Sequence, residues 1–254
     1  MKPIFKIENI KKSFGKKEVL KGVDFEIAKG EKIAILGPNG SGKSTLINIM
    51  VGLLKQSEGE VLRPLYKNEK EFFKDLGIQF QDRRFPKGYT LEQLFNLVYE
   101  LRQPKKKDED NKAYIARRDK EKAKMIKLFQ LVGSEKTKVN KLSGGQQQRL
   151  SILLSIVHKP KVLILDELTT GLDVGSQYRL VNYIKKYSEK KDITLIVISH
   201  IVFEISSLAD RVILLDKGTI QHDIQMNELV KKYKSVSNYM ESYFVRNEKL
   251  KGGK

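Results

Sequence analysis

Two kinds of hydrophobic pattern divide the predicted strands of this chain. Apolar and polar residues alternate over residues 4–10 and 23–27, which predicts half-buried antiparallel strands. A short apolar run at 33–36 predicts a buried strand. Residues 162–165 and 194–198 are almost entirely aliphatic, as is typical of parallel strands buried on both faces. Shorter runs predict further strands at 59–62, 211–215 and 219–221.

Apolar residues at helical spacing predict helices between these strands. One helix begins near Lys43, and another spans roughly 176–189. From about 83 to 158 the chain is richer in charge and has helical periodicity, which predicts a helical insertion. Within it, the charged stretch 104–124 is predicted to be a solvated loop, followed by a helix that ends at Gly133.

The order of these elements predicts an α/β protein. We expect a mainly parallel sheet with an N-terminal antiparallel β-subdomain and an inserted α-helical subdomain. A single domain is expected over 1–226, with the helical subdomain at about 83–158 and a helical tail over 227–254. Packing on the core is the expected role of the tail, and a helix on a membrane surface is the alternative.

The composition argues against several kinds of site. Cysteine is absent, which excludes disulfides and thiolate metal sites, and the 3 histidines argue against a transition-metal centre. Of these, His158 and His222 match no motif and are expected at the surface. No apolar run reaches the ~18 residues of a spanning helix, and the N-terminus lacks the apolar region of a signal peptide. We therefore expect no membrane-spanning segment in this chain.

The net charge of +18 leaves three explanations open. A nucleic-acid partner and an anionic membrane surface both fit it, and a lysine-rich composition bias explains it equally well. Most of the basic residues are lysine and lie among acidic ones, whereas arginine is preferred for bidentate contacts to phosphates and bases. We therefore expect no specific nucleic-acid partner.

Residues 37–44, with the sequence GPNGSGKS, match the phosphate-binding pattern G-x-x-x-x-G-K-[ST], known as Walker A. A predicted strand precedes the loop and a predicted helix follows it, as the pattern requires. The glycines let backbone amides point at a phosphate without obstruction by side chains, and the helix N-terminus adds positive potential. Lys43 can reach the β- and γ-phosphates, and the Ser44 hydroxyl is placed to ligate Mg²⁺. The segment predicts a P-loop NTPase (RecA-like) core.

Asp166 and Glu167 follow the aliphatic run 162–165. Ligands bind beyond the carboxyl ends of parallel strands, so both side chains are expected at such a site. Asp166 can hold Mg²⁺ directly or through water, and Glu167 can orient and polarise the attacking water. An aliphatic run that ends in Asp-Glu is weak evidence alone, but after a phosphate loop in the chain it indicates a nucleotide site.

Residues 142–146, LSGGQ, lie between these two motifs. In this order the three motifs resemble the ATP-binding cassette (ABC) ATPases, whose signature is LSGGQ. The resemblance covers roughly residues 4–225. In that family, the signature of one subunit contacts the γ-phosphate held by the other.

The resemblance implies roles for individual residues. Phe14 matches the aromatic that stacks on adenine, and His200 matches the switch histidine that senses the γ-phosphate. Gln81 matches the glutamine that links Mg²⁺ to the membrane partner, and its neighbour Gln79 fits less well. Asp173 matches the loop across the dimer interface. The implied nucleotide-binding residues are Phe14, Gly37, Asn39, Gly40, Ser41, Gly42, Lys43, Ser44, Thr45, Ser143, Gly144, Gly145, Gln146 and Asp173. The implied catalytic residues are Glu167, His200 and Gln81, and the implied Mg²⁺ ligands are Ser44, Gln81 and Asp166.

Two positions depart from the family pattern. Leu168 and Val174 stand where proline is usual, after the catalytic glutamate and after the interface aspartate. Both changes alter loop stiffness without removing a charge or a ligand, so ATPase competence is still expected.

The resemblance implies an ATPase subunit of a membrane transporter, with ATP and Mg²⁺ as cofactors. Its expected partners are transmembrane permease subunits and a second nucleotide-binding subunit, identical or related. The expected location is the cytoplasmic face of the cell membrane, as a peripheral protein. Residues 76–80 and 90–92 lean towards an exporter-type subunit. The alternative is a soluble ABC ATPase with an assembly role, such as an iron–sulfur cluster scaffold ATPase.

Overall fold

The computed structural model describes residues 2–81 and 85–249. The chain forms two compact units: a first unit of Met1–Lys67 with Asp192–Lys254, and a second unit of Asn68–Lys191. The expected start of the helical insertion, residue 83, and the expected end of the tail, 250–254, lie outside the described residues. The division into a domain over 1–226 and a tail stays a prediction.

Strands and helices alternate along much of the described chain. The strands are β1 (Pro3–Phe14), β2 (Lys17–Ala28), β3 (Lys32–Leu36), β4 (Glu58–Leu62), β5 (Leu76–Gln79), β6 (Val162–Asp166), β7 (Thr194–Ile198), β8 (Arg211–Asp216) and β9 (Thr219–Gln225). The helices are α1 (Lys43–Met50), α2 (Glu69–Asp75), α3 (Leu91–Arg102), α4 (Asn111–Leu128), α5 (Gly144–Ile156), α6 (Val174–Lys191), α7 (Val202–Leu208), α8 (Met226–Tyr233) and α9 (Val236–Lys249).

An antiparallel sheet forms the N-terminal part of the first unit. Strand β1 pairs with β2 on one side and with β4 on the other. The alternation predicted for 23–27 places Val23, Phe25 and Ile27 of β2 in the interior, and Leu20 of the same strand is buried as well. Both long strands extend beyond the predicted ranges, because the backbone pairing of β1 with β2 continues to Phe14 and Lys17, past the last buried positions.

The parallel strands of the first unit centre on β3. This strand pairs in parallel with β7 on one side and β8 on the other, and β9 closes the edge antiparallel to β8. Every residue of β7 is buried, which is why its sequence is a continuous aliphatic run. A strand buried between two neighbours positions whatever follows its carboxyl end, and that is where the phosphate loop begins.

The C-terminal helices α8 and α9 pack on the apolar side of these strands. Leu229, Val236 and Tyr239 are buried in one hydrophobic cluster with Leu36 and Leu214. The cluster supports the expectation that the tail packs on the core. Its buried phenol also finds a partner, since Tyr239 Oη lies 2.9 Å from Nδ1 of a histidine in β9, His222.

The second unit contains the parallel pair β5 and β6 together with helices α2 to α6. Most of the charged stretch 104–124, predicted as a loop, is helical instead, because helix α4 begins at Asn111. Asp110 caps this helix by accepting a hydrogen bond from the Ala113 amide at 2.7 Å. Glu109 accepts from Arg117 at 2.8 Å. The sequence pattern failed here because α4 buries little apolar surface, and capping and pairing of its charges stabilise it instead. The helix ends at Leu128, earlier than predicted.

The prediction that His158 and His222 lie at the surface is wrong. His158 is only 7% exposed, and its Nε2 lies 2.9 Å from the Leu76 carbonyl oxygen. His222 is half-buried against Tyr239 and Tyr243. Both positions lack a periodic pattern that would have indicated burial, because long-range packing places them. Among the described residues, no helix is both long and apolar enough to cross a membrane.

Candidate functional site

The phosphate loop of the first unit has a backbone that two of its glycines make possible. Gly37 has φ 153° and Gly42 has φ 107°, and L-residues rarely adopt such values. A Cβ at Gly37 would overlap the Leu215 carbonyl oxygen, and one at Gly42 would lie 2.7 Å from Leu20 Cδ2. The loop therefore bends tightly around its own amides, which is the shape that a bound phosphate needs.

Two polar side chains complete this cradle. Lys43 Nζ donates to the carbonyl oxygens of Gly37 at 2.8 Å and Pro38 at 3.0 Å, so its ammonium lies across the loop. The Ser41 hydroxyl is buried and makes no hydrogen bond within residues 2–81 and 85–249. A buried polar atom without a partner is costly, and a phosphate oxygen is a partner that the loop is shaped to accept.

Helix α1 begins at Lys43, directly after Gly42. Its first turn contains Ser44, Thr45 and no acidic residue, and no side chain caps it. The amides of the first turn are therefore available to an anion, and the helix dipole adds to their attraction. Ser44 and the loop residues Asn39 and Gly40 are exposed.

His200 reaches the same edge of the first unit as the phosphate loop. Strands β3 and β7 are parallel neighbours, with Ile35 opposite Ile198. Gly37 and His200 each lie two residues beyond these partners, so both follow the carboxyl ends of adjacent strands. The Ser199 hydroxyl accepts a hydrogen bond from the Ile201 amide at 2.9 Å and fixes the turn that carries the exposed His200.

Phe14 ends strand β1 with its ring accessible. The side chain is 51% exposed, which is high for phenylalanine. Lys12 Nζ lies 5.0 Å from the ring centroid, within the range of a cation–π contact. An exposed aromatic face of this kind can stack on a base.

Asp166 and Glu167 lie at the carboxyl end of β6 in the second unit. Asp166 is buried and Glu167 is half-buried with φ 54°, a left-handed conformation that costs energy in a residue other than glycine. Thr170 Oγ1 donates to the Glu167 carboxylate at 3.3 Å. The strained backbone turns the chain sharply at the residue expected to carry the chemistry.

Two buried glutamines, neither of them predicted as a site residue, hold this turn. Gln79 Nε2 donates to the Asp166 carbonyl oxygen at 3.0 Å. Gln148 Nε2 donates to the carbonyl oxygens of Glu167 at 3.0 Å and Leu168 at 2.7 Å. Gln79, the weaker match to the family glutamine, therefore has a positioning role. The sequence did offer one indication for Gln148, which lies five residues after Ser143 in the helix that begins with the signature, α5.

Gln81 lies in a bend two residues after β5. Strands β5 and β6 are parallel, with Gln79 opposite Leu165, so Gln81 and Glu167 follow equivalent positions of neighbouring strands. The second unit thus brings Gln81, Asp166 and Glu167 to one strand edge. Among the described residues, no group of three or more His, Asp or Glu side chains is arranged to hold a metal ion by itself.

The signature residues form the N-terminus of helix α5. Ser143 Oγ accepts from the Gln146 amide at 3.3 Å, and Gln146 Oε1 accepts from the Ser143 amide at 2.9 Å, which is a complete capping box. Gly144 is exposed, and Gly145 packs close to Leu172. The local role of Ser143 and Gln146 is thus to fix the start of a helix whose dipole favours an anion.

Asp173 begins the next helix, α6, by the same means. Its carboxylate accepts from the Ser176 amide at 2.9 Å, and hydrogen bonds from the Ser176 side chain and amide together lower the pKa of Asp173. The departures from the family pattern cause no visible defect. Leu168 is buried with its carbonyl oxygen held by Gln148, and Val174 is the exposed first residue of α6.

Comparison with known proteins gives this arrangement a family. The model of the ABC transporter family matches residues 20–170. The uncharacterised ABC transporter ATP-binding protein YdbJ of Bacillus subtilis is 36% identical, over 88% of this chain and 70% of its own length. The spermidine/putrescine import ATP-binding protein PotA of Mesoplasma florum is also 36% identical, over 86% of this chain and 60% of its own length. The linearmycin resistance ATP-binding protein LnrL of Bacillus subtilis is 33% identical, over 83% and 66%. The chain thus spans about 60–70% of the length of these relatives.

Solved structures agree in fold. A dimeric bacterial ABC transporter cassette has a TM-score of 0.75 at 27% identity, covering 87% of this chain and 98% of that one. A post-hydrolysis state of an ATP-binding cassette bound to ADP and Pi matches to the same extent. The predicted α/β P-loop fold with its antiparallel N-terminal sheet is confirmed. The chain belongs to the ABC transporter family, as an ATP-binding cassette ATPase.

Proposed function

We propose that this chain hydrolyses ATP in a pair of cassettes and so drives transport by separate membrane-spanning subunits. The observation that carries the proposal is the phosphate cradle of the first unit. This loop combines a tightly bent glycine backbone, a buried Ser41 hydroxyl without a hydrogen-bond partner among the described residues, and the Lys43 ammonium on the Gly37 and Pro38 carbonyl oxygens. The same loop is followed by a helix with available first-turn amides.

ATP binding is assigned to the first unit. Lys43, now on the Gly37 and Pro38 carbonyl oxygens, would exchange these for β- and γ-phosphate oxygens. The exposed ring of Phe14 would stack on adenine. His200, at the same strand edge as the loop, would contact the γ-phosphate and so register whether it is present.

Mg²⁺ binding is proposed from the chemistry of the donors. Ser44 offers a hydroxyl, Asp166 a carboxylate and Gln81 an amide oxygen, and hard oxygen ligands of this kind suit Mg²⁺. The ion supplies charge neutralisation on the phosphates when bound.

Water activation is assigned to Glu167. Phosphoryl transfer depends on positioning and on charge stabilisation, and a carboxylate that orients one water satisfies the first need. Gln148 and Gln79 hold the backbone on both sides of Glu167. The carboxylate therefore starts from a fixed turn, which limits the reorganisation needed to accept a water proton.

A second cassette is proposed to complete the site. The start of α5 presents Ser143, Gly144 and Gly145 with a favourable dipole, and we assign these to the γ-phosphate held by a facing subunit. Closure then depends on ATP, since loss of the γ-phosphate removes contacts that only the closed pair makes. Asp173 would lie in the loop that crosses between the subunits. Whether the facing cassette is identical or related is left open.

The membrane partners and location extend the proposal. We infer transmembrane permease subunits on other polypeptides and a peripheral position at the cytoplasmic face of the membrane. The expectation of an exporter-type subunit stays a prediction, since one similar protein is named for import and another for resistance. The soluble assembly ATPase is not proposed, because nothing in the site or in the relatives described above favours it.

The test of the chemistry is Glu167→Gln. We expect the variant to keep wild-type affinity for ATP and to lose at least ~100-fold in the rate of phosphate release, as for removal of a general base. Glu189→Gln removes an exposed carboxylate from the same unit and should hydrolyse ATP normally. Near-normal turnover by Glu167→Gln would refute the assignment.

The test of the transport role is co-purification. Tagged Glu167→Gln, extracted from native membranes in mild detergent with MgATP, should recover a multi-span protein in stoichiometric amount. Recovery of the cassette alone, or of cassettes with only water-soluble proteins, would contradict a transporter subunit while leaving the ATPase intact.

A further inference from the structure

The second unit contains a cavity that takes no part in the proposed reaction. Its volume is about 420 Å³, within the ~300–1,000 Å³ typical of small-molecule sites. The walls are the C-terminal end of α4, one residue of α5 and one face of α6. None of the phosphate-loop, signature or acidic residues discussed above lines it.

The polar lining of this cavity is cationic. Arg149, Arg179 and Lys186 all contribute to it. Among the residues that the structure describes, no carboxylate lines the cavity, although Asp173 and Glu121 are near enough to affect Arg149 and Tyr183. A concave site with one sign of charge concentrates ligands of the opposite sign.

Arg149 in particular lacks a complete set of partners. Its Nε is buried and makes no hydrogen bond to any described residue. Burial and the neighbouring Arg179 lower the pKa of Arg149, while Asp173 opposes them. A buried guanidinium N–H without an acceptor is costly. The same Arg149 side chain lines the cavity, where its charge favours an anion as hydrogen-bond acceptor.

The same cavity also has an apolar lining. Leu128, Phe129, Leu180 and the ring of Tyr183 contribute to it. Phe129 and Tyr183 pack edge to face with their centroids 5.6 Å apart, so both rings are held in place. The cavity thus offers a rigid apolar wall beside a cationic group.

We propose that this cavity binds a small organic anion with an apolar body, such as an aromatic carboxylate, sulfonate or phosphate ester. Its acidic group would lie between Arg149, Arg179 and Lys186, and its apolar part on Phe129 and Tyr183. Since Arg149 belongs to the signature helix α5 and Arg179 to the helix that follows Asp173, occupancy would also bear on the ATPase. That consequence rests on the proposed function, but the binding itself does not.

The test uses 8-anilinonaphthalene-1-sulfonate, whose fluorescence rises in an apolar site. On the nucleotide-free protein we expect saturable binding. Arg179→Gln should raise its dissociation constant about tenfold by removing one cation, as for a charge-assisted hydrogen bond. Asn182→Trp, which adds bulk to the lining without altering charge, should abolish binding. Both positions are exposed, so these variants should fold.

The matched controls are Lys185→Gln and Lys43→Ala. Lys185 lies on the same helix outside the lining, and its loss should leave the dissociation constant unchanged. Lys43→Ala should also bind the probe normally, which separates the cavity from the phosphate loop. The proposal would be overturned if the wild type did not bind the probe saturably, or if Arg179→Gln and Asn182→Trp bound it with the wild-type dissociation constant. Either result would hold whatever the ATPase activity is.

Discussion

Gln79 and Gln148 show at the residue scale how a side chain can serve a site without belonging to a motif. Each donates from a buried amide to backbone carbonyl oxygens around Glu167. Their contacts depend on the approach of α5 and β5 to the end of β6, and the position of Gln148 in the helix that begins with the signature is the only trace of them in the sequence. Lys43 and Ser44, by contrast, were predictable because their positions are fixed by a local loop whose glycines are visible in the sequence.

The first prediction at this scale concerns Lys43. Lys43→Ala should weaken ATP binding at least about tenfold, because the phosphates lose their principal cation. Isothermal titration with a non-hydrolysed ATP analogue measures the dissociation constant. Lys55→Ala removes an exposed lysine from the same unit and should bind normally. Unchanged affinity in Lys43→Ala would exclude the loop as the ATP site.

A second residue-scale prediction concerns acid stability. Burial lowers the pKa of His158 from 6.5 to about 4, with Arg102 adding to the effect. The unfolded chain therefore binds a proton between these pH values that the folded protein rejects, so the free energy of unfolding falls as pH drops from about 6.5 to 4. The full loss would be of order 3 kcal/mol.

Urea unfolding as a function of pH measures this contribution. His158→Asn should be less stable than the wild type at pH 7, because the ring is buried and bonded to the Leu76 carbonyl oxygen. Its free energy of unfolding should change less between pH 6.5 and 4. Parallel pH profiles for the two proteins would show that His158 is not the group responsible.

At the scale of elements, hydrophobic periodicity failed mainly to predict where helices begin. Asp110 begins α4 within a stretch that looks like a loop because its charges outnumber its apolar residues. Strands β3, β6 and β7 were predicted nearly to the residue, since burial on both faces leaves an uninterrupted aliphatic run. Helices that bury one residue or none per turn leave no such pattern.

The prediction at this scale compares two capping boxes. Ser143→Ala and Thr90→Ala each remove the cap of one helix, α5 or α3, and each should lower the free energy of unfolding by ~1 kcal/mol. Only Ser143→Ala should also slow ATP hydrolysis, because only α5 is assigned to the γ-phosphate. Equal ATPase rates in the two variants, at matched stability loss, would contradict that assignment.

The whole molecule is expected to work as a pair. With MgATP, the Glu167→Gln variant should change from a monomer to a dimer, measured as molar mass by light scattering. The reason is that ATP is retained and its γ-phosphate contacts hold the pair closed. ADP should not support this, and the double variant Glu167→Gln with Lys43→Ala should stay a single chain. A Glu167→Gln protein that remains monomeric at high MgATP would count against the sandwich.

The sequence by itself determined the family, the phosphate loop, the acidic strand end and the signature, because each consists of neighbouring residues whose chemistry requires that order. It also determined the buried strands, since their aliphatic runs need no partner to be recognised. Only the tertiary structure decided that His158 is buried, that two glutamines hold the turn at Glu167, and that three cations of α5 and α6 share one cavity. These outcomes depend on which distant segments pack together, and packing of that kind leaves no periodic trace in the chain.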